Sequence, residues 1–236
     1  MITDNRVKAV IFDIDNTLYD YDAAHAIAFE ALTACAGDAL SLDPGEFARL
    51  HSQAERELAN RCGGNCAALH NRLLRYQVLL EGLGRPVGLA PKLAKVYWST
   101  FMEALRPDPG AARALARLRG MGLKVGIGTN MTADYQYEKL ERMGLMPCVD
   151  FMVTSEEVTA EKPDRRLFDA CARKAGCEAG ACVFVGDSLS KDVKGAMDAG
   201  MRAMWLCRPG QDPAKAIPGA AVVRALDEIP DLISQY

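Results

Sequence analysis

The amino-acid sequence predicts an α/β protein: a doubly wound, mainly parallel sheet with an α-helical domain inserted into it. Three observations point there. The apolar run Val7–Phe12 ends abruptly in two aspartates, Asp13 and Asp15. From Leu18 to about Arg106 the apolar positions keep helical spacing with no convincing strand among them. Beyond Arg106, short apolar runs alternate with amphipathic stretches, the rhythm of parallel strands joined by right-handed helical crossovers.

Val7–Phe12 reads as a first strand buried on both faces, because it is apolar throughout rather than alternating. The block that follows resolves into about four helices, in AAHAIAFEALTACAGDAL, EFARLHSQAERELA, ALHNRLLRYQVLLEGLG and APKLAKVYWSTFMEAL. Asp43, Pro44 and Gly45 mark one break, and Gly82, Gly84 and Pro86 another. After RPDPG come the helix Ala111–Met121, the strand Leu123–Gly128, the helix Ala133–Met143 and the short strand Phe151–Thr154. A helix Pro163–Ala175 follows, with Pro163 in its first turn. The strand Cys182–Val185, the helix Asp192–Ala199, the strand Ala203–Cys207 and a last strand and short helix within Ala221–Ile233 complete the pattern. Residues 1–17 and 107–236 are thus expected to form the sheet domain, and residues 18–106 the helical insertion.

With 236 residues, half of them hydrophobic and a quarter charged, the chain can bury an ordinary globular core. A net charge of −3 gives no reason to expect a nucleic acid polymer as partner. No window is apolar for long enough to expect a membrane span, and the N-terminal segment lacks a secretory pattern, so a cytoplasmic protein is expected. The eight cysteines sit in apolar segments rather than framing loops, as reduced thiols used for packing do. Oligomeric state is not indicated.

In a doubly wound sheet, ligands bind outside the carboxyl ends of the strands. Asp13 and Asp15 fall there after the first strand, Thr129 and Asn130 after the second, and Asp187 after VFV, while Lys162 precedes a helix. Each motif alone is also a common turn or cap, and it is their shared sheet edge that points to chemistry. Carboxylates gathered at one edge repel each other unless a cation is present, and an oxygen-only donor set suits Mg²⁺. A hard cation beside a lysine makes a receptor for a phosphoryl group. Asp13 is then the candidate nucleophile, forming an aspartyl-phosphate, and Asp15 the acid and base. Thr129, Asn130 and Lys162 are candidates to hold the phosphoryl oxygens. Asp187 completes the metal shell with Asp13, and Asp192 orients the metal's waters.

These motifs, in this order, resemble those of the haloacid dehalogenase-like (HAD) superfamily over essentially the whole chain. FDIDNT is similar to its first motif, IGTN to its second, EKPD to its third and GDSLSKD to its fourth. The resemblance implies a Rossmann-like catalytic core, Mg²⁺ held by Asp13, by the main-chain carbonyl of Asp15 and by Asp187, and a helical cap that selects the leaving group. Asp15 argues against the family's dehalogenases, which lack an acid/base two residues after the nucleophile. Lys92 and Lys95 lie too late in the block for its phosphonate hydrolases. The expected function is a Mg²⁺-dependent phosphatase acting on a small-molecule phosphate monoester, a nucleoside monophosphate being one candidate. A sugar-phosphate phosphomutase and a non-catalytic sensor or scaffold binding a phosphorylated metabolite are the alternatives.

Within the helical block, Tyr19, Tyr21, His25, Arg61, His70, Arg72 and Arg75 are candidates to face the leaving group, with the arginines otherwise expected on a solvated helix face. Tyr97, Trp98 and Phe101 are expected in its core. Cys62, Cys66 and His70 recur every four residues, as ligands on one helix face would, but Gly63 and Gly64 favour a turn and ordinary packing there.

Overall fold

The computed structural model describes residues 6–235. The first residues, on which part of the leader reading rests, lie outside that range. Six strands form one sheet: β1 (Ala9–Phe12), β2 (Lys124–Thr129), β3 (Phe151–Thr154), β4 (Cys182–Gly186), β5 (Arg202–Leu206) and β6 (Ala221–Val223). Their spatial order is β3-β2-β1-β4-β5-β6 and every pairing is parallel. The doubly wound sheet that the alternating pattern predicts is therefore present.

The chain divides into two compact units. One runs through Asp20 and resumes at Arg106, and the other is Tyr21–Leu105. The latter holds α1 (Tyr21–Leu40), α2 (Pro44–Cys62), α3 (Arg72–Gly82) and α4 (Ala90–Ala104). Asp43 caps α2 by accepting from the Glu46 amide at 2.9 Å, and Asn71 caps α3 from the Leu74 amide at 3.1 Å. Leu32, Phe47, Tyr76, Leu80, Leu93, Tyr97 and Phe101 are buried at the centre of this unit. Among the described residues no helix is long and apolar enough to cross a membrane.

In the sheet unit, α5 (Ala111–Gly120), α6 (Ala133–Arg142), α7 (Ser155–Val158), α8 (Arg165–Ala175), α9 (Lys194–Asp198) and α10 (Ile229–Ile233) complete the crossovers. The four residues of β1 are all fully buried, as an apolar run between two neighbours requires. Register sets the functional edge: Phe12 lies beside Ile127 of β2 and Val185 of β4, so these central strands end together. Glycines make room in β2. A methyl group on Gly126 would collide with the Phe151 ring, and one on Gly128 would crowd Phe184 and Cys171. Where the inserted unit departs and returns, Tyr19 forms an antiparallel bridge with Pro107.

Three local expectations need correction. Pro163 is not in the first turn of α8: the Lys162–Pro163 bond is cis, and Asp164 caps a helix that starts at Arg165. The helix expected from Asp192 opens instead as a π-helical turn over Leu189–Val193, with Asp192 inside it. Cys62 and His70 share no continuous helix, because α2 stops at Cys62 with Gly63 at φ 75° and His70 ends a separate 3₁₀ segment. Cys66 bonds back to the Cys62 carbonyl. Among the described residues these three do not form a group of metal-capable ligands.

Candidate active site

Asp13 extends β1 by one residue, its amide donating to the Val185 carbonyl at 2.9 Å. Its side chain therefore emerges, still buried, at the edge where β1 and β4 end. A tight turn follows, in which Asn16 takes a left-handed conformation at φ 60° and the Leu18 amide bonds back to Ile14 at 2.8 Å. Arg208, just beyond β5, braces this turn by donating to the carbonyls of Asn16 at 2.8 Å and Thr17 at 2.6 Å, and it pairs with Asp108 at 2.9 Å.

Lys162 and Asp192 are buried beside Asp13. The Lys162 ammonium lies 2.6 Å from Asp13 Oδ1 and 2.7 Å from Asp192 Oδ1, above the Phe184 ring. The Lys162 main chain is held by its amide, which donates to Asn130 Oδ1 at 2.8 Å. Asp192 also accepts from the Ser188 amide at 2.9 Å. Gly186 gives this carboxylate its place, because a methyl group there would overlap the Asp192 side chain. Asp187 is half-buried, with its carbonyl accepting from Trp205 Nε1 at 2.9 Å. Carboxylate oxygens of Asp13, Asp187 and Asp192 lie within 4.8 Å of one another.

This concentration of charge shows in the acidities. Burial first, then Asp192, Asp187 and Asp15, push the Asp13 carboxyl up to about 7 against the opposing pull of Lys162. Asp187 is pushed up to about 6 by burial and by Asp192. For Lys162, burial alone would lower the ammonium's pKa, but Asp13 and Asp192 outweigh it and hold the group charged. Three carboxylates against one lysine leave negative charge in excess, and with oxygen as the only donor the set fits a hard divalent cation.

Thr129 is buried at the end of β2, its hydroxyl donating to the Asn130 carbonyl at 3.2 Å and accepting from Gln136 Nε2 at 2.8 Å. Met131 follows at φ 120°, its amide held by Ser155 Oγ at 2.8 Å. Asp15, half-exposed, pairs with the fully buried Lys139 at 2.6 Å and accepts from the Tyr19 hydroxyl. Gln136 Nε2 reaches its other oxygen at 3.3 Å. Lys139, Gln136 and Arg208 are absent from the sequence reading. In ADYQYEKLER the glutamine and lysine look like the solvated side of an amphipathic helix, and only their i, i+3 spacing beside Leu140 hints at an inward face.

The other candidates are placed differently. Tyr19 belongs to the sheet unit rather than the helical one, fully buried, with its hydroxyl on Asp15. In the helical unit, Arg72 and Arg75 are buried rather than solvated. Arg72 donates to the hydroxyls of Tyr21 at 2.9 Å and Tyr97 at 3.3 Å, with its guanidinium 4.8 Å from the Tyr97 ring centre. His25 bonds the Tyr97 hydroxyl at 2.7 Å and stacks on Tyr21. Arg75 pairs with Glu55 at 2.8 Å and donates to the Leu69 carbonyl at 3.0 Å. Arg61 lies on the surface between Glu57 and Glu81. His51, among Phe29, Phe47 and Tyr76, is pushed down to about 3 by burial and then by Arg75 and Arg72.

Known proteins resemble this chain over most of its length. Residues 7–200 match the family model of haloacid dehalogenase-like hydrolases. The chain is 36% identical to a ribulose-1,5-bisphosphate 5-phosphatase of Halopiger xanaduensis, over 96% of this chain and 99% of that one. It is 34% identical to a glyceraldehyde 3-phosphate phosphatase of Methanothermobacter thermautotrophicus, over 84% of each. The fold matches the crystal structure of a HAD phosphatase from Thermococcus onnurineus with a TM-score of 0.75 and 26% identity, covering 96% of this chain and 98% of that one. With the motif-bearing strands, the parallel sheet and the family model in agreement over most of its length, the chain belongs to the haloacid dehalogenase-like hydrolases.

Proposed function

We propose that the chain is a Mg²⁺-dependent phosphatase that hydrolyses a small-molecule phosphate monoester through an aspartyl-phosphate on Asp13. The observation that carries this is the Lys162 ammonium set between Asp13 and Asp192, with Asp187 completing the carboxylate group. Lys162 uses one oxygen of Asp13, which leaves the other to attack phosphorus. The ester oxygen departs with a proton from Asp15, and Asp15 then takes a proton from the water that attacks the acyl-phosphate and frees Asp13. Thr129, Asn130 and Lys162 hold the phosphoryl oxygens.

Asp13 and Asp187, with the Asp15 carbonyl, are the residues that would hold Mg²⁺, and Asp192 would orient its waters. Such a cation would supply positive charge to the phosphoryl group. Relatives named as a ribulose-1,5-bisphosphate 5-phosphatase and a glyceraldehyde 3-phosphate phosphatase support phosphorylated sugars as substrates, and one named as a pyrimidine 5'-nucleotidase supports nucleoside monophosphates. Cytoplasmic residence and reduced cysteines accord with a metabolic enzyme of this kind.

The test is release of phosphate with Mg²⁺ from sugar phosphates, nucleoside monophosphates and phospho-acids, on wild type and Asp13→Asn. Turnover lost in a folded Asp13→Asn protein is the expected result, and undiminished turnover removes the nucleophile assignment. Conversion of a substrate to its isomer without free phosphate points to a phosphomutase instead.

A further inference from the structure

The inward face of α6 carries two polar side chains that none of the four motifs includes. Gln136 and Lys139 are both fully buried and stand one turn apart. Lys139 Nζ lies 2.6 Å from Asp15 Oδ1 and 5.7 Å from the centre of the Tyr19 ring, whose hydroxyl donates to the same carboxylate. Gln136 Nε2 is shared between Asp15 Oδ2 at 3.3 Å, Thr129 Oγ1 at 2.8 Å and the Asn130 carbonyl at 3.0 Å. Burying an ammonium is costly, and a methionine of similar length would fill the space without that penalty. The charge is therefore kept for its partner.

We propose that Lys139, with Gln136, is a positioning residue for Asp15, fixing its carboxylate in one orientation and tying it to the Thr129–Asn130 turn. This rests on the reading of Asp15 as the acid and base. A half-exposed carboxylate at a sheet edge has several rotamers open to it, whereas proton transfer demands one. The ammonium and the Tyr19 hydroxyl on one oxygen, and the amide on the other, select that orientation. Thr129 and Asp15 then move as one piece, so the proton donor keeps its place relative to the groups that hold the phosphoryl oxygens. Because Asp15 acts on the departing oxygen and on water, losing the clamp slows turnover rather than weakening substrate binding.

The experiment compares Lys139→Met, Asp15→Asn and the double variant for kcat and KM on the best substrate of the panel, with circular dichroism to establish folding. Lys139→Met is expected to lower kcat by on the order of a hundredfold with KM within about threefold of wild type. In the Asp15→Asn background the same change is expected to cost less than about threefold, since the residue acts through Asp15. A folded Lys139→Met protein with wild-type kcat, or losses that multiply in the double variant, overturns the proposal. Where Lys139→Met does not fold, Gln136→Leu enters the same cycle, and wild-type kcat in that variant overturns it as well. Asp15→Asn at the wild-type rate removes the acid/base reading underneath, a failure distinct from an inert Lys139.

Discussion

The Lys162 ammonium stands 2.6 Å from Asp13 Oδ1, joining residues 149 positions apart in the chain. Both side chains are buried, so each is the other's substitute for water. Replacing Lys162 with Met leaves Asp13 and Asp192 facing each other without a cation between them. Such a variant should lose about 3–5 kcal/mol of stability in metal-free buffer at neutral pH, as buried pairs do when one partner is removed. Urea denaturation measures this, and a loss under about 1 kcal/mol would show that the pair contributes little.

The acidities of Asp13 and Asp187 make a prediction about metal and pH together. Both carboxyls are raised in the folded chain, to about 7 and about 6, above their unfolded values of roughly 3.9. Stability that is fully present below about pH 4 is therefore lost as pH rises through the folded values. A cation bound by the ionised carboxylates offsets that loss. Added Mg²⁺ should raise the melting temperature more at pH 8 than at pH 5, and equal increments would place the cation elsewhere.

Gly186 has no side chain because Asp192 occupies the space. Gly186→Ala should displace the Asp192 carboxylate from Lys162, destabilise the fold by about 1–3 kcal/mol through overpacking, and reduce kcat. Thermal melting and steady-state kinetics check the two effects. A stable variant with reduced kcat would still place the damage at Asp192, whereas full stability with full activity would contradict the packing.

His51 is held neutral in the folded chain, pushed down to about 3 from an ordinary 6.5. With the folded value below the unfolded one, its contribution is present above about pH 6.5 and is lost as pH falls toward 3. At pH 5 that amounts to about 2 kcal/mol. Denaturation of His51→Phe at pH 7 and pH 5 should show a smaller decline than wild type. Parallel declines would assign the acid sensitivity to other groups.

The sheet was legible because its strands are apolar runs and its crossovers amphipathic, so the C-terminal edge was known before any side chain was placed. Asp13, Lys162, Asp187 and Asp192 were legible as a group for the same reason. Lys139 and Gln136 were hidden, because a polar residue on an amphipathic helix reads as solvated unless its buried partner is known, and Asp15 lies 124 positions from Lys139. Arg72 and Arg75 were open to two readings on spacing alone. Their burial follows from tyrosine hydroxyls and a glutamate that only the folded helical unit brings within reach. Tyr19 stands in the sheet unit rather than the helical one, and its hydroxyl donates to Asp15, a pairing that only the folded turn after β1 makes visible.

The bridge between Tyr19 and Pro107 brings the two ends of the insertion side by side, within the sheet unit itself. Neighbouring backbones in such a bridge are about 5 Å apart, a gap that a few residues of any sequence can close. The sheet therefore treats everything from Tyr21 to Leu105 as one long loop, whose length costs it little entropy. Excising that stretch should leave a chain that still closes its strands in the same order, and grafting a different module at the same junction should leave the carboxylate rim untouched. The module between Tyr21 and Leu105 can in this way be exchanged wholesale while the carboxylate edge of the sheet is kept.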